Sequence, residues 1–383
     1  MGQALTDGTC DARFEPVREA FADNFALRGE TGGALCITAD GRVVVDLWGG
    51  TASQAGPQRW GPNTLVNFFS VGKGLLALLA ARQVGDGRLD TEAPVVRYWP
   101  EFGAAGKQAV TVRQVLSHQA GLPAIRRPLP AGAMLDWTLM TTELAAQSPW
   151  WPPGAGHGYH VNTFGFLVGE LLRRASGRTV GDLLRTEIAG PLGADVHIGL
   201  PPAEHGRVAD FAWPGLPQQP ADLAGLPDAQ LMEHNAYFNP LGLSGAGVVN
   251  SAAWRQAELP STNGHGSARG VARVYSAIAA GGTIDGVRVA PAGALAEAAT
   301  EQVYGDDLVL HRPSRFGLGF QLTQPERPIG PHAGAFGHFG AGGSLGFCDP
   351  QAGIGFGYVV GRMGPRWQNP ANRALLDALY SCL

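Results

Sequence analysis

Val66-Asn67-Phe68-Phe69-Ser70-Val71-Gly72-Lys73-Gly74-Leu75-Leu76-Ala77-Leu78-Leu79-Ala80 is the stretch around which this chain is organised. An apolar extended run arrives at a serine, a lysine follows three residues later, and an apolar helix begins. Positions i and i+3 share a helix face, so the Ser70 hydroxyl and the Lys73 amine stand side by side at the first turn. The helix N-terminus adds unpaired N–H groups and partial positive charge. A serine placed there is open to deprotonation by its neighbour, and its own N–H is aimed to hold an oxyanion. The chain has two lysines, Lys73 and Lys107, and thirteen serines, so the Ser-x-x-Lys pair is uncommon here. The helix is apolar on nearly every side through Leu79, which marks it as a buried core helix. A lysine in such surroundings has a partner or a task, and burial suits it to act as a base.

The 383 residues are too many for one small core and imply two lobes or one large domain with insertions. The chain is 45% hydrophobic and 16% charged, with a formal net charge of -4 and no basic run, which argues against nucleic acid or an anionic membrane as partner. The four cysteines, Cys10, Cys36, Cys348 and Cys382, lack metal-binding spacing; Cys36 and Cys348 fall in strand-like runs and read as buried thiols. Met1 to Asp7 lacks a basic start and an apolar core, and no apolar run reaches membrane-spanning length. The expectation is a soluble cytoplasmic protein with reduced thiols.

Phe14, Val17, Phe21 and Phe25 recur at helical spacing, giving a helix over about 13–28. The runs 34–38 and 42–48 flank Asp40-Gly41 and read as a hairpin. The Ser70 helix ends near Gly85-Asp86-Gly87. Thr111 and Gln114 have capping-box spacing for a helix over 112–118, and further helices are expected over 134–147, 164–175 and 180–188. Residues 200–266 are rich in Pro, Gly and Ala and read as long loops with little regular structure. A helix over 268–280, strands over 316–323, 343–348 and 354–360, and a closing helix after Asn369-Pro370 complete the chain. The expected fold is α/β (α+β): an antiparallel sheet of about five strands built from both termini, with flanking helices. That sheet domain takes residues 1–85 and 200–383, a mostly helical lobe takes 86–199, and Ser70 lies in the cleft between them.

Three features together resemble the serine β-lactamase and penicillin-binding-protein superfamily. They are Ser70-Val71-Gly72-Lys73, Tyr159 about ninety residues on, and the Gly-rich strand His338-Phe339-Gly340-Ala341-Gly342-Gly343. Within the superfamily the chain is most similar to the class C-like carboxylesterases, or family VIII esterases, and the resemblance covers nearly its whole length. It implies the class C β-lactamase-like two-lobed fold, no cofactor and no metal, with Ser70 as nucleophile, Lys73 as its base and Tyr159 as proton shuttle. It further implies an oxyanion hole from the N–H groups of Ser70 and Ala341, and a substrate strand at His338, Phe339 and Gly340. A phenol with pKa near 10 fills the shuttle role if Lys73 lowers it. Two departures stand out. Val161 occupies the place of the asparagine of true class C β-lactamases, with Asn162 one position late, and His338 replaces a lysine. A histidine is mostly neutral at pH 7, so the second departure favours uncharged esters over penicillins.

Trp150, Trp151, Tyr237 and Phe238, with Phe339, are the aromatics expected around the substrate, and Asn263-Gly264-His265 is a candidate for facing the cleft. His157 and His160 lack accompanying carboxylates and do not read as a metal pair. Gly342-Gly343-Ser344-Leu345-Gly346 matches the Gly-x-Ser-x-Gly elbow. A strand rather than a helix follows it, and no histidine comes after Ser344, so Ser344 is not the expected nucleophile. The reading is a serine hydrolase acting on small carboxylic esters. Its rivals are an acyltransferase, a D-amino-acid peptidase or amide hydrolase, a weak β-lactamase, and a non-catalytic binding protein.

Overall fold

The computed structural model describes residues 6–53, 56–215, 218, 222–365 and 367–383. Residues 1–5, which carry most of the reading of the N-terminus, lie outside the described residues, as do 216–217 and 219–221 within the 200–266 stretch.

The hairpin forms as expected. Strands β2 (Gly32–Ala39) and β3 (Arg42–Gly50) pair antiparallel around Asp40 at φ 47° and Gly41 at φ 80°, a left-handed pair that matches the twist of the strands it joins. The C-terminal strands β8 (Leu345–Asp349) and β9 (Ile354–Val360) complete the centre, with β9 running antiparallel to β2 from Ile354↔Ala39 to Val360↔Gly33. The sheet is therefore built from both ends of the chain.

Among the described residues it has nine strands rather than about five. The others are β1 (Thr6–Cys10), β4 (Val303–Asp306), β5 (Pro313–Phe316), β6 (Gln321–Leu322) and β7 (Phe336–Phe339), and the order is β1-β3-β2-β9-β8-β7-β6-β5-β4. The expected single strand over 316–323 breaks at Gly317-Leu318-Gly319 into the end of β5 and the whole of β6. Strands of two to four residues carry too few alternations to announce themselves, and β1 is almost wholly polar.

The central strand β9 sorts its residues by period two. Ile354, Phe356 and Tyr358 join the core made by Val17 and Phe21 of α1 (Glu15–Ala26) and by Leu375, Leu376 and Leu379 of α6 (Pro370–Ser381). Gly355 and Gly357 face α5 (Ala268–Ala279), and a Cβ on either would collide with that helix's backbone. Layers of helix cover both faces.

The Ser70 helix, α2 (Val71–Gly85), packs against α5's side of the sheet and against α3 (Thr163–Ser176). The 200–266 stretch is more regular than its composition implies. It holds α4 (Asp228–Phe238), whose inward positions are Met232, Asn235 and Ala236. Asn235 donates to the carbonyls of Ile125 and Arg126, so a buried amide interrupts the apolar stripe that would have marked the helix. Among the described residues no helix is long and apolar enough to cross a membrane.

Candidate active site

The chain enters α2 through a strained residue. Phe69 is left-handed at φ 51°, a conformation that costs a non-glycine residue about 1–3 kcal/mol. Its buried ring packs 4.7 Å from Phe211 and 5.9 Å from Trp213, contacts that hold the kink. Ser70 follows as the N-cap of α2, but its side chain makes no capping bond. Its hydroxyl oxygen lies 3.0 Å from Lys73 Nζ instead.

Lys73 is fully buried. Its Nζ also reaches the Val161 carbonyl at 2.6 Å and the Ser261 carbonyl at 3.1 Å. The Ser261 contact depends on Gly72, where a Cβ would sit 2.6 Å from the neighbouring Pro260 oxygen. Burial holds the Lys73 pKa well below its ordinary 10.5. A neutral amine has two N–H groups and one lone pair. Carbonyls only accept, so in the neutral form the two N–H groups go to Val161 and Ser261 and the lone pair is left to take the Ser70 proton, which otherwise points to the Ser261 carbonyl at 3.4 Å.

Tyr159 is also fully buried. Its ring stacks on Phe316, with centroids 5.9 Å apart and planes at 6°, and lies 4.8 Å from Trp367, 5.2 Å from His118 and 5.9 Å from His338. Lys73 Nζ is 4.8 Å from the ring centroid. The hydroxyl is turned toward Ser70 but completes no hydrogen bond, and burial raises its pKa well above 10, with Ser70 pulling only partly back. The expectation that Lys73 lowers this pKa is therefore corrected: desolvation by burial dominates.

The second expected oxyanion donor, Ala341, opens a short turn after β7. Gly340 lets that turn close on Ser70, since a Cβ there would collide with the Phe68 carbonyl oxygen. Among the described residues, the N–H groups of Ser70 and Ala341 have no hydrogen-bond acceptor, and both residues line one cavity of about 240 Å³.

A sequence-family model described as Beta-lactamase matches residues 17–380. The chain belongs to the beta-lactamase family. It is 39% identical over 364 residues to the esterase/beta-lactamase LipL of Mycobacterium tuberculosis, covering 93% of this chain and 83% of that protein. A crystal structure of a family VIII carboxylesterase superposes with a TM-score of 0.91 at 38% identity, covering 99% of this chain and all (100%) of that one. A penicillin-binding protein homologue from Caulobacter crescentus gives 0.90 at 41% identity, with coverage of 99% and 100%.

At Val161, where the resemblance would have an asparagine, the backbone carbonyl meets Lys73. Asn162 turns away to the Ala236 carbonyl and the Ser244 hydroxyl. His338 lies wholly inside, with Nδ1 2.6 Å from the Phe339 carbonyl, and burial followed by the nearby Lys73 pushes its pKa well below 6.5. It faces Tyr159 and does not line the cavity.

The walls of the cavity include Phe69, Trp213, Tyr237, Phe238, Met363 and Trp367. Tyr237 and Phe238, expected around the substrate, are among these lining residues. Trp150 and Trp151 do not line it. Both pack behind Tyr159, and Trp150 donates to the Ala124 carbonyl with Arg126 lying 3.6 Å over its ring. Phe339 lines a separate crevice beside Phe316 and Trp367, and Gly340 is spent on the backbone approach just described. Asn263 points inward to the carbonyl of Trp254 and the N–H of Leu259. Ser344 is buried, its hydroxyl accepting from the Val360 N–H at 3.3 Å. His157 bonds Ser314 and His160 bonds its own loop, and among the described residues no group of three or more His, Cys, Asp or Glu is placed to hold a metal. Trp213 and Trp367 went unread because the loops that carry them have no period, and Ser261 because it acts through its carbonyl.

Proposed function

We propose that this member of the beta-lactamase family is a serine carboxylesterase that cleaves small uncharged carboxylic esters through an acyl-enzyme on Ser70. The observation that carries this reading is the Lys73 amine, held by two carbonyls with its third direction on the Ser70 hydroxyl. Lys73 takes the Ser70 proton as the oxygen attacks the ester carbonyl. The N–H groups of Ser70 and Ala341 receive the oxyanion. Tyr159, kept protonated by burial, gives its proton to the leaving alkoxide and regains one from the Lys73 ammonium. Water then attacks the acyl-enzyme with the same groups, and Ser70 is restored.

The site sits in the cleft between the sheet part of the chain, 1–85 and 200–383, and the helical part, 86–199; Lys73 meets Val161 of one and Ser261 of the other. The aromatic wall and the neutral His338 support an uncharged substrate. Four unpaired cysteines support a cytoplasmic setting. A weak β-lactamase activity is the second reading, favoured by the double description of the relative LipL.

The test is steady-state hydrolysis of p-nitrophenyl acetate, p-nitrophenyl butyrate and benzylpenicillin by the wild type and Ser70→Ala. Ester turnover that vanishes in Ser70→Ala supports the reading; turnover unchanged in Ser70→Ala refutes it.

A further inference from the structure

A second buried constellation lies directly beneath Tyr159. Asp307 is 2% exposed and stands just beyond β4, in the hairpin that β4 and β5 form at the far edge of the sheet. Its Oδ1 accepts the backbone N–H groups of Tyr159 at 3.0 Å, Val309 at 2.9 Å and Leu310 at 2.9 Å. Its Oδ2 accepts the Tyr159 N–H at 3.1 Å and the Ser314 hydroxyl at 2.8 Å. Because the Ser314 proton goes to the carboxylate, the 2.9 Å contact from His157 Nε2 is a donation to Ser314 Oγ. The Leu308 N–H adds a 3.0 Å bond to the His157 carbonyl. Phe316, from the same hairpin, is the ring on which Tyr159 stacks. Both the backbone and the side chain of Tyr159 are thus fixed from one hairpin.

The tyrosine needs this support. It sits in an irregular stretch before α3, and its hydroxyl has no hydrogen bond of its own to set its direction. Ring position is then set by the backbone beneath and the stacking beside it. A buried carboxylate receiving four separate donors is rigid, and removing it leaves those donors without an acceptor.

We propose that Asp307, backed by Ser314 and His157, is the positioning residue that holds Tyr159 at its reacting distance from Ser70. The inference rests on the proton-transfer role given to Tyr159 above. A displacement of about 1 Å at a reacting group costs on the order of a hundredfold in rate.

The test is a kinetic cycle on a short p-nitrophenyl ester with wild type, Asp307→Asn, Tyr159→Phe and the double variant. Asp349→Asn serves as the control for buried-carboxylate loss. That residue is equally buried, ends the central strand β8, and takes donors from Gln351 N–H, Ala352 N–H, His332 and the Tyr380 hydroxyl. We expect Asp307→Asn to lower kcat about a hundredfold with KM within about twofold, and to add nothing in the Tyr159→Phe background. Asp349→Asn should lower Tm and leave kcat in place. Should Asp307→Asn fail to fold, Ser314→Ala gives the same reading at about a tenfold loss, again absent in the Tyr159→Phe background. A Tyr159→Phe variant that is impaired while Asp307→Asn and Ser314→Ala keep wild-type kcat overturns the positioning role alone. Equal losses in both backgrounds overturn it too. A Tyr159→Phe variant with wild-type turnover overturns the role of Tyr159 and this inference with it.

Discussion

Lys73 Nζ lies 3.0 Å from Ser70 Oγ, and its two other contacts are carbonyl oxygens, of Val161 and Ser261. The other lysine supplies the contrast. Lys107 Nζ contacts three carbonyls, those of Ala104, Ala145 and Gln147, which satisfy all three donors of an ammonium. Burial lowers Lys107 to about 8 and holds Lys73 well below 10.5. One lysine is a staple that stays charged over most of the neutral range. The other has its third direction taken by a hydroxyl that can give up a proton.

The first expected outcome separates two serines. Ser70→Ala should lose ester turnover by several orders of magnitude. Ser344→Ala should keep most of it and lose about 1 kcal/mol of stability, since its hydroxyl only accepts from Val360 at 3.3 Å. Rates and urea unfolding of both variants check this; a well-folded but dead Ser344→Ala would move the nucleophile.

The second concerns the charge on Lys73. The amine titrates at 10.5 in the unfolded chain and well below that in the folded one. Between those values the unfolded state binds the extra proton, so stability falls as pH drops from 10.5 toward the folded pKa. Lys73→Met lacks this group. Its unfolding free energy relative to wild type should move in the variant's favour between pH 10 and pH 7, measured by urea denaturation at each. A difference flat with pH would mean that Lys73 stays charged. Activity should follow the same group: kcat/KM falls on the acid side as Lys73 takes a proton, and Lys73→Arg is nearly inactive at every pH.

The third sets esters against penicillins. A β-lactam carboxylate calls for a fixed cation, and losing one charge-assisted contact costs roughly 1.5–3 kcal/mol, about one to two powers of ten in binding. His338 is neutral and turned from the cavity. Short neutral esters should therefore exceed penicillins in kcat/KM by at least about tenfold. His338→Lys would place a second amine in a fully buried position near Lys73. It should lower Tm rather than create penicillin turnover. A gain in penicillin kcat/KM without loss of Tm would contradict this.

The fourth concerns the cavity wall. An apolar cavity of about 150 Å³ accepts benzene, so about 240 Å³ lined by Trp213 and Phe238 holds a compact acyl group. Trp213→Ala or Phe238→Ala should raise the kcat/KM ratio of p-nitrophenyl octanoate to butyrate about tenfold. An unchanged ratio would place the acyl chain elsewhere.

Much of this site was open to sequence reasoning, and the rest was closed for physical reasons. Ser70 and Lys73 were legible because a rare lysine three residues from a serine meets it on any helix. The hairpin and β8 and β9 were legible because alternation runs through them. Tyr159 and Ala341 came from resemblance alone, since neither an irregular loop nor a backbone N–H leaves a pattern. Asp307 reads like any solvated acid in Gly305-Asp306-Asp307, and only the path of the hairpin buries it. The lysine's two anchors are carbonyls, which every residue has. Strands β1, β4 and most of β5 fall outside any period the chain displays, and α4 hides its inner face behind Asn235.

The central claim is that Ser70 forms the acyl-enzyme with Lys73 as its base. The most direct measurement is intact-protein mass after rapid quenching with p-nitrophenyl butyrate, followed by peptide mapping, for wild type, Ser70→Ala and Lys73→Arg. We expect one butyryl group on the peptide containing Ser70 in the wild type, none in Ser70→Ala, and little in Lys73→Arg. A butyryl group on another residue, or full labelling of Ser70 at the wild-type rate in Lys73→Arg, would contradict it.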